Sequence, residues 1–392
     1  MFNTSQTTRS FTEGTDKPTQ NTSSVNQNIE GIVSEWLWKT IPVVLFCVGI
    51  TGNVLTITVL NRLGLRRQPT LTFLMFLSIT DTVILLTVLP RYWMLYTFNF
   101  DLKLVSSANC KLYYFVVYLS MQYSSWILVG VSIERAIKTH FPFKYKRWYT
   151  RQRVQIGLFI TLFLLILLNV HFFITNGIND KLECGSLTEK DKIFDEFIYV
   201  YIDLCVESLI PFLIMLLCNI FLIRILRKSQ KQRPSMMHDR YVQRANMFSV
   251  KMTKMLVVCT TYFIFATAPL CIYFIIESYL KPRYTQSYNE AAMATMGLVW
   301  TVCYLICLSN YCVNFYLYTA LNERFYQEFR ALLRCQPRTS LRRACVYTTK
   351  HLNTTCRNAV DTSQGIEQSL SDEETPINAA SNTNTEKRII TE

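Results

Sequence analysis

CKLYYFVVYLSMQYSSWILVGVSIERA, residues 110–136, decides what kind of chain this is. A cysteine heads it, Leu112 to Ile133 is free of charge, and Glu134-Arg135-Ala136 closes it. Twenty-two uncharged residues, at about 1.5 Å rise each, cross a hydrocarbon layer of roughly 30 Å as a helix. Beyond Arg135 come Lys138, Lys144, Lys146, Arg147, Arg151 and Arg153 without one acidic residue. Positive flanks stay in the cytoplasm and a cysteine suits an oxidising face, so the segment predicts a membrane span running from outside to inside.

Working outward, six further apolar runs have the same character. Ile41 to Leu60 is the first, followed by Arg62, Arg66 and Arg67. Thr70 to about Tyr96 is the second, interrupted only by Asp81. The segment headed by Cys110 is the third, and Val154 to Ile174 the fourth. A loop with six acidic and three basic residues follows, including Cys184. Phe197 to Ile223 with Pro211, Met255 to Ile276 with Pro269, and Ala291 to Leu321 complete the set. Between the fifth and sixth, Arg224 to Lys254 holds nine basic residues and the single acid Asp239. Seven spans place the two ends on opposite sides, and the basic loops put the amino end outside. The expectation is an all-α membrane protein: a disordered extracellular segment 1–35, a seven-helix bundle 36–321, an amphipathic helix 322–335 and a disordered cytoplasmic tail 336–392.

Composition excludes much else. Half the residues are hydrophobic and 17% are charged, against about 25% in a soluble chain. The net charge of +13 lies in loops between apolar runs, which argues against nucleic acid as a partner. Cys47, Cys205, Cys218, Cys259, Cys271, Cys303, Cys307 and Cys312 sit inside apolar runs and are read as small buried hydrophobes. No paired CxxC suggests zinc, and no HExxH, GxSxG or P-loop suggests an enzyme. His171, alone in the fourth run, is read as a packed polar residue. A transporter, the rival from another class, would show related halves with broken helices, and no such repeat is found.

Asn3 and Asn21 stand in glycosylation sequons near the amino end, which matter only if that end is outside; the first span then serves as an uncleaved signal-anchor. Near the other end, Phe325, Phe329, Leu332 and Leu333 recur at helical spacing among charged residues, the pattern of a helix lying on the membrane surface. Cys335 at its close is a candidate for palmitoylation, an unmodified thiol being the alternative.

Taken in order, Gly52-Asn53, Leu77-Ser78-Ile79-Thr80-Asp81, Cys110 with Cys184, Glu134-Arg135-Ala136, Pro211, Pro269 and Asn314-Phe315-Tyr316-Leu317-Tyr318 resemble the landmarks of rhodopsin-like (class A) G-protein-coupled receptors, most of all invertebrate-type neuropeptide receptors. The resemblance covers about Ile41 to Cys335. It implies a disulfide between Cys110 and Cys184, and an activation set of Glu134, Arg135, Phe263, Pro269, Asn314 and Tyr318. Glu134 would hold Arg135 while the bundle is closed. Asp81 at mid-membrane needs partners, for which Asn53, Ser124, Asn310 and Asn314 are candidates. The resemblance implies that Asp81, Ser124, Asn310 and Asn314 bind a sodium ion, a packing cluster without an ion being the alternative. Departures are Ala266-Thr267-Ala268-Pro269 where the family has Cys-Trp-x-Pro, Asn314-Phe315 for Asn-Pro, and Asn219 for a tyrosine in the fifth span. Phe263 and Phe265 are expected to share the role of the missing tryptophan.

The ligand is narrowed by exclusion. Val117 stands where receptors similar to this one for amines carry an aspartate, and Leu308 where opsins carry lysine. Asp203 and Glu207, four residues apart, share a helix face. They are expected to line a wet cavity and to receive a cationic group of a peptide; neutralisation by protonation or by neighbours is the alternative. Arg91, Tyr92, Trp93, Tyr114, Tyr118, Gln122, Phe274, Glu277, Trp300 and Tyr304 are further candidate lining residues. The reading is therefore a plasma-membrane receptor that binds an extracellular neuropeptide and activates a heterotrimeric G protein, with arrestin, a receptor kinase and membrane lipid as further partners. A receptor of this fold for a lipid or other small non-amine ligand is the alternative. Ser369 and Ser371, before Asp372-Glu373-Glu374, are candidate phosphorylation sites.

Overall fold

The computed structural model describes residues 29–64, 69–180, 182–231, 240–286 and 290–336. Asn3, Asn21, Ser369 and Ser371 lie outside the described residues. Seven helices among them are long and apolar enough to cross a membrane. Spans one to seven run Ile29–Leu63, Pro69–Phe98, Ser107–His140, Arg151–Thr175, Glu189–Ile225, Thr253–Glu277 and Ala291–Leu321. Spans one, two and seven pack side by side, span three runs through the middle, and span four touches mainly span three.

The first helix begins at Ile29, inside the stretch expected to be disordered. Glu30 in its first turn suits the positive end of the helix dipole. Ser34 lies in hydrogen-bond contact with Thr301 (2.7 Å), and the Trp38 indole donates to the same hydroxyl at 3.0 Å. Trp38 is fully buried and stacks on Tyr92 at 4.3 Å, so the outer turns are fastened to spans two and seven. Polarity alone, read along the chain, does not reveal such fastening.

Local signals start the other helices. Ser106 accepts from the Asn109 N–H at 3.1 Å at the head of span three, and Thr150 from that of Arg153 at 3.3 Å at the head of span four. Thr188 and Asp191 form a reciprocal capping box where span five begins. Span five then widens into two π-helical stretches, Asp195–Tyr199 and Leu204–Leu209. The second ends just before Pro211, whose missing N–H cannot support the turn above it. Between spans four and five, β1 (Asn176–Ile178) and β2 (Cys184–Ser186) pair antiparallel with Ile178 opposite Cys184. The Cys110–Cys184 disulfide joins this hairpin to span three.

The interior carries the polar residues and the rim the apolar ones, the arrangement expected where lipid replaces water. Asn53, Asp81, Ser124, Asn310 and Asn314 are buried, whereas Phe159, Phe163, Leu167, Leu213 and Leu217 are exposed. One apolar cluster fills the Arg135 end around Leu74, Ile127 and Phe263. A second fills the Cys110 end around Trp38, Tyr92 and Tyr304. Beyond span seven, Asn322 caps a helix Glu323–Leu333, whose Phe325, Phe329 and Leu332 pack on the core. Leu333, expected on the same apolar face, is 66% exposed. It follows Leu332 directly, and a single step of about 100° turns it off that face.

Candidate functional site

Span five supplies the charges of the candidate ligand site: Asp203 ends the α-helical turn Val200–Asp203, Glu207 lies in the π-helical stretch that follows, and both face one wall. A cavity of about 30 Å³ lies against them, lined also by Tyr118, Met121, Leu270, Phe274 and Tyr304. That volume holds a water or two, so a ligand group must spread these walls to enter. Among the described residues, no basic one lines the cavity. Asp203 is fixed from behind: the Gln122 amide donates to its Oδ1 at 2.8 Å. Asn169 donates to the Gln122 carbonyl at 2.7 Å, and the Tyr199 hydroxyl to the Asn169 carbonyl at 2.6 Å. Spans three, four and five are thereby stitched together under the carboxylate. Glu207 has no hydrogen bond among the described residues and is the freer of the two.

The other candidate lining residues occupy different settings. Gln122 lies behind Asp203, as just described. Tyr114 donates to the Cys184 carbonyl at 3.3 Å beneath the disulfide. Trp300 stacks on Tyr304 at 5.3 Å, behind a residue that lines the cavity, and does not line it itself. Trp93 meets Phe98 edge-on at 5.3 Å, and Glu277 is half-buried near the end of span six. Arg91 is buried away from the cavity, over the Tyr92 and Tyr113 rings, where Nε and Nη2 make two bonds to Asp101 at 2.9 and 2.8 Å. Lys103, 4% exposed, sits beside this pair with Nζ 3.4 Å from the Tyr114 hydroxyl. Burial pushes Lys103 down to about 7, with Arg91 adding to the effect and Asp101 opposing it. Burial acts to raise the Asp101 carboxyl, but the Arg91 guanidinium outweighs it and holds the group below its ordinary value.

Below the cavity, Asp81 accepts from Ser124 at 2.9 Å and from Asn314 at 2.8 Å, one bond to each oxygen. Asn310 is buried one helical turn before Asn314. Asn53, a candidate partner of Asp81, donates instead to the Tyr311 carbonyl at 3.1 Å, which ties span one to span seven. Its own Oδ1 is buried without a hydrogen bond. Around Asp81 the structure thus brings together a carboxylate, the Ser124 hydroxyl and the Asn314 amide NH2 group, and the carboxylate and hydroxyl oxygens are of the kind a hard cation accepts.

Phe263 is 2% exposed and part of the core, while Phe265 is 70% exposed. Two residues advance about 200° around a helix, so both cannot face inward, and the expectation that they share one role fails for Phe265. Near the same level, Asn219 and Thr260 join spans five and six at 2.8 Å.

At the far end Glu134 and Arg135 are almost wholly buried, with Arg135 Nε 3.1 Å from Glu134 Oε2. Thr70 of span two mediates: its hydroxyl donates to Glu134 Oε1 at 2.9 Å and accepts from Arg135 Nη2 at 2.5 Å. Tyr145, on the short helix Pro142–Trp148, donates its hydroxyl to the same carboxylate oxygen. Neither Thr70 nor Tyr145 was found from sequence. Thr70 merely opens an apolar run, and Tyr145 lies among basic loop residues.

A seven-helix bundle with a cavity at one end, a buried polar centre and a sealed arginine at the other defines a membrane receptor. The description "7 transmembrane receptor (rhodopsin family)" matches residues 52–318. Galanin receptor type 2 of Mus musculus is 24% identical over 311 residues, 77% of this chain and 78% of its own. Neuropeptide Y receptor type 4 of Rattus norvegicus is 24% identical over 306 residues, 74% of this chain and 77% of its own. Growth hormone secretagogue receptor type 1 of Homo sapiens is 32% identical over 121 residues, 30% and 32% of the two chains. The chain belongs to the rhodopsin family of seven-transmembrane receptors, multi-pass proteins of the plasma membrane; it is a receptor and not an enzyme.

Proposed function

We propose that this receptor is opened from its Cys110 end by an extracellular peptide bearing a basic group, and that it then activates a heterotrimeric G protein at its Arg135 end. The observation that carries the reading is the wall formed by Asp203 and Glu207, two carboxylates on one small cavity with aromatic neighbours and, among the described residues, no basic one. An arginine or lysine of the ligand supplies the missing charge, and buried charge-assisted bonds of this kind are strong. Two of the relatives above are named for galanin and neuropeptide Y, which supports a peptide.

The amino end faces outward in this reading, because the basic loops flank the Arg135 end. Entry of a ligand group between spans three, five and six moves Leu270, Cys271 and Phe274, which line the cavity on span six. Movement of that helix about Pro269 parts the Arg135 end and frees the arginine for a partner helix. Asp81 with Ser124, Asn310 and Asn314 would hold a sodium ion in the closed form, so that sodium lowers agonist affinity. Asn3 and Asn21 would carry glycans, Cys335, which is exposed, a palmitate, and phosphorylated Ser369 and Ser371 an arrestin.

The test is a calcium and cyclic-nucleotide response screen of cells expressing the receptor, with amidated neuropeptides beside amines and lipids. Saturable responses to basic peptides are expected. Responses confined to lipids or amines would overturn the peptide reading.

A further inference from the structure

On the lipid-facing side, between spans two, three and four at the Arg135 end, lies a groove of about 420 Å³ that the activity above does not use. Its buried wall is Phe73 and Leu158, with Trp126 half-buried and Trp148 and Arg153 exposed. Trp126 is held in place, since its indole N–H donates to the Val206 carbonyl at 3.0 Å. Two glycines shape the space. A side-chain carbon at Gly130 would stand 2.6 Å from the Phe73 ring, whereas one at Gly157 would meet no atom within 4 Å. Glycine within a helix is worse than alanine by about 1 kcal/mol, and at Gly157 no crowding demands it. What it provides is room.

Among the described residues, the charge at this groove has no carboxylate partner. Arg153 donates from Nη1 to the Arg147 carbonyl at 2.7 Å. From Ala136 to Ile178 the chain has no acidic residue. A guanidinium has five donors in a fork that suits a phosphate, and an exposed tryptophan such as Trp148 suits the headgroup level.

We propose that this groove binds an anionic glycerophospholipid, one acyl chain lying along Trp126 and Gly157 and the phosphate at Arg153. The site is linked to the sealed arginine. Tyr149, which also lines the groove, stacks on Tyr145 at 5.5 Å and 12°, and Tyr145 donates to Glu134. Lipid in the groove therefore holds the Pro142–Trp148 helix where it closes over Arg135. The inference is independent of which ligand opens the receptor.

The test is native mass spectrometry of the purified full-length receptor, titrated with phosphatidylserine, phosphatidylcholine or cholesterol. Phosphatidylserine should bind in preference. Arg153→Gln should weaken it about fivefold, the worth of one basic residue at a membrane surface, and Gly157→Leu should weaken it by filling the space beside Trp126. Arg224→Gln, at an exposed arginine at the end of span five, should bind as the wild type does, and Gly157→Ala, whose single added carbon projects into the groove, should weaken binding less than Gly157→Leu. Equal binding of serine and choline lipids, preference for the sterol, wild-type binding by Arg153→Gln, or equal weakening by Arg224→Gln overturns the proposal. If Gly157→Leu does not fold, Arg153→Gln and the lipid comparison decide.

Discussion

Thr70→Ala should raise basal signalling, because Thr70 joins the two charges that seal the Arg135 end. Its hydroxyl is fully buried, donates to Glu134 at 2.9 Å and accepts from Arg135 at 2.5 Å. A hydrogen bond to a charged group contributes about 1.5–3 kcal/mol, and two are lost. Arg135 Nη1 already lacks a hydrogen bond, so a second orphaned nitrogen cannot borrow a ready partner. Only the difference between closed and open forms counts; if the open form makes neither bond but lets water reach both charges, about 1.5 kcal/mol remains. That is roughly a tenfold shift, taking an open population of about 1% to about 10%. The assay is ligand-free nucleotide exchange on a G protein in membranes, normalised to receptor at the surface. Thr70→Ser, which keeps the hydroxyl, should stay near wild type. Unchanged exchange by Thr70→Ala at normal expression, or an equal rise in Thr70→Ser, would refute the reasoning.

Cys110→Ser should abolish surface ligand binding by releasing the β1–β2 hairpin from span three; radioligand binding to intact cells checks this, and normal binding contradicts it. Lys103 carries a pH signature: its folded value lies near 7, below the ordinary 10.5, so the unfolded chain binds the extra proton between these values. Stability therefore rises with pH from about 7 towards 10.5. The thermal midpoint should rise across that window in the wild type, and Lys103→Met should lose the part of the rise that Lys103 supplies. Asn219→Ala should cost about 1 kcal/mol by removing the contact with Thr260, Thr260→Ala the same, and the double variant no more than either. Thermal midpoints of the four proteins test this, and additive losses would show that the pair is not one contact.

The seven spans and the cysteine pairing were legible because hydropathy over a helix length and the landmark order both run along the chain. Asp81 announced its need for partners, and Ser124 and Asn314 meet it. What sequence did not show is mostly azimuth and reach. Phe263 and Phe265 stand two positions apart and point oppositely, and in an apolar span no polar stripe tells them apart. Asn169 and Tyr199, which anchor Gln122 behind Asp203, meet from two different helices. Tyr145 reaches Glu134 from a loop helix whose composition speaks only of positive charge. The start of span one at Ile29 depends on Trp38 and Thr301, which are 263 positions apart.

The most direct measurement is a charge cycle at the cavity: agonist potency of a basic peptide and of its analogue with that residue made neutral, on the wild type and on Asp203→Asn/Glu207→Gln. If the carboxylates receive the cation, the double variant weakens the basic peptide by much more than the neutral analogue, and the two ligands approach equal potency. Equal losses for both ligands would show that Asp203 and Glu207 serve the fold alone and would contradict the account.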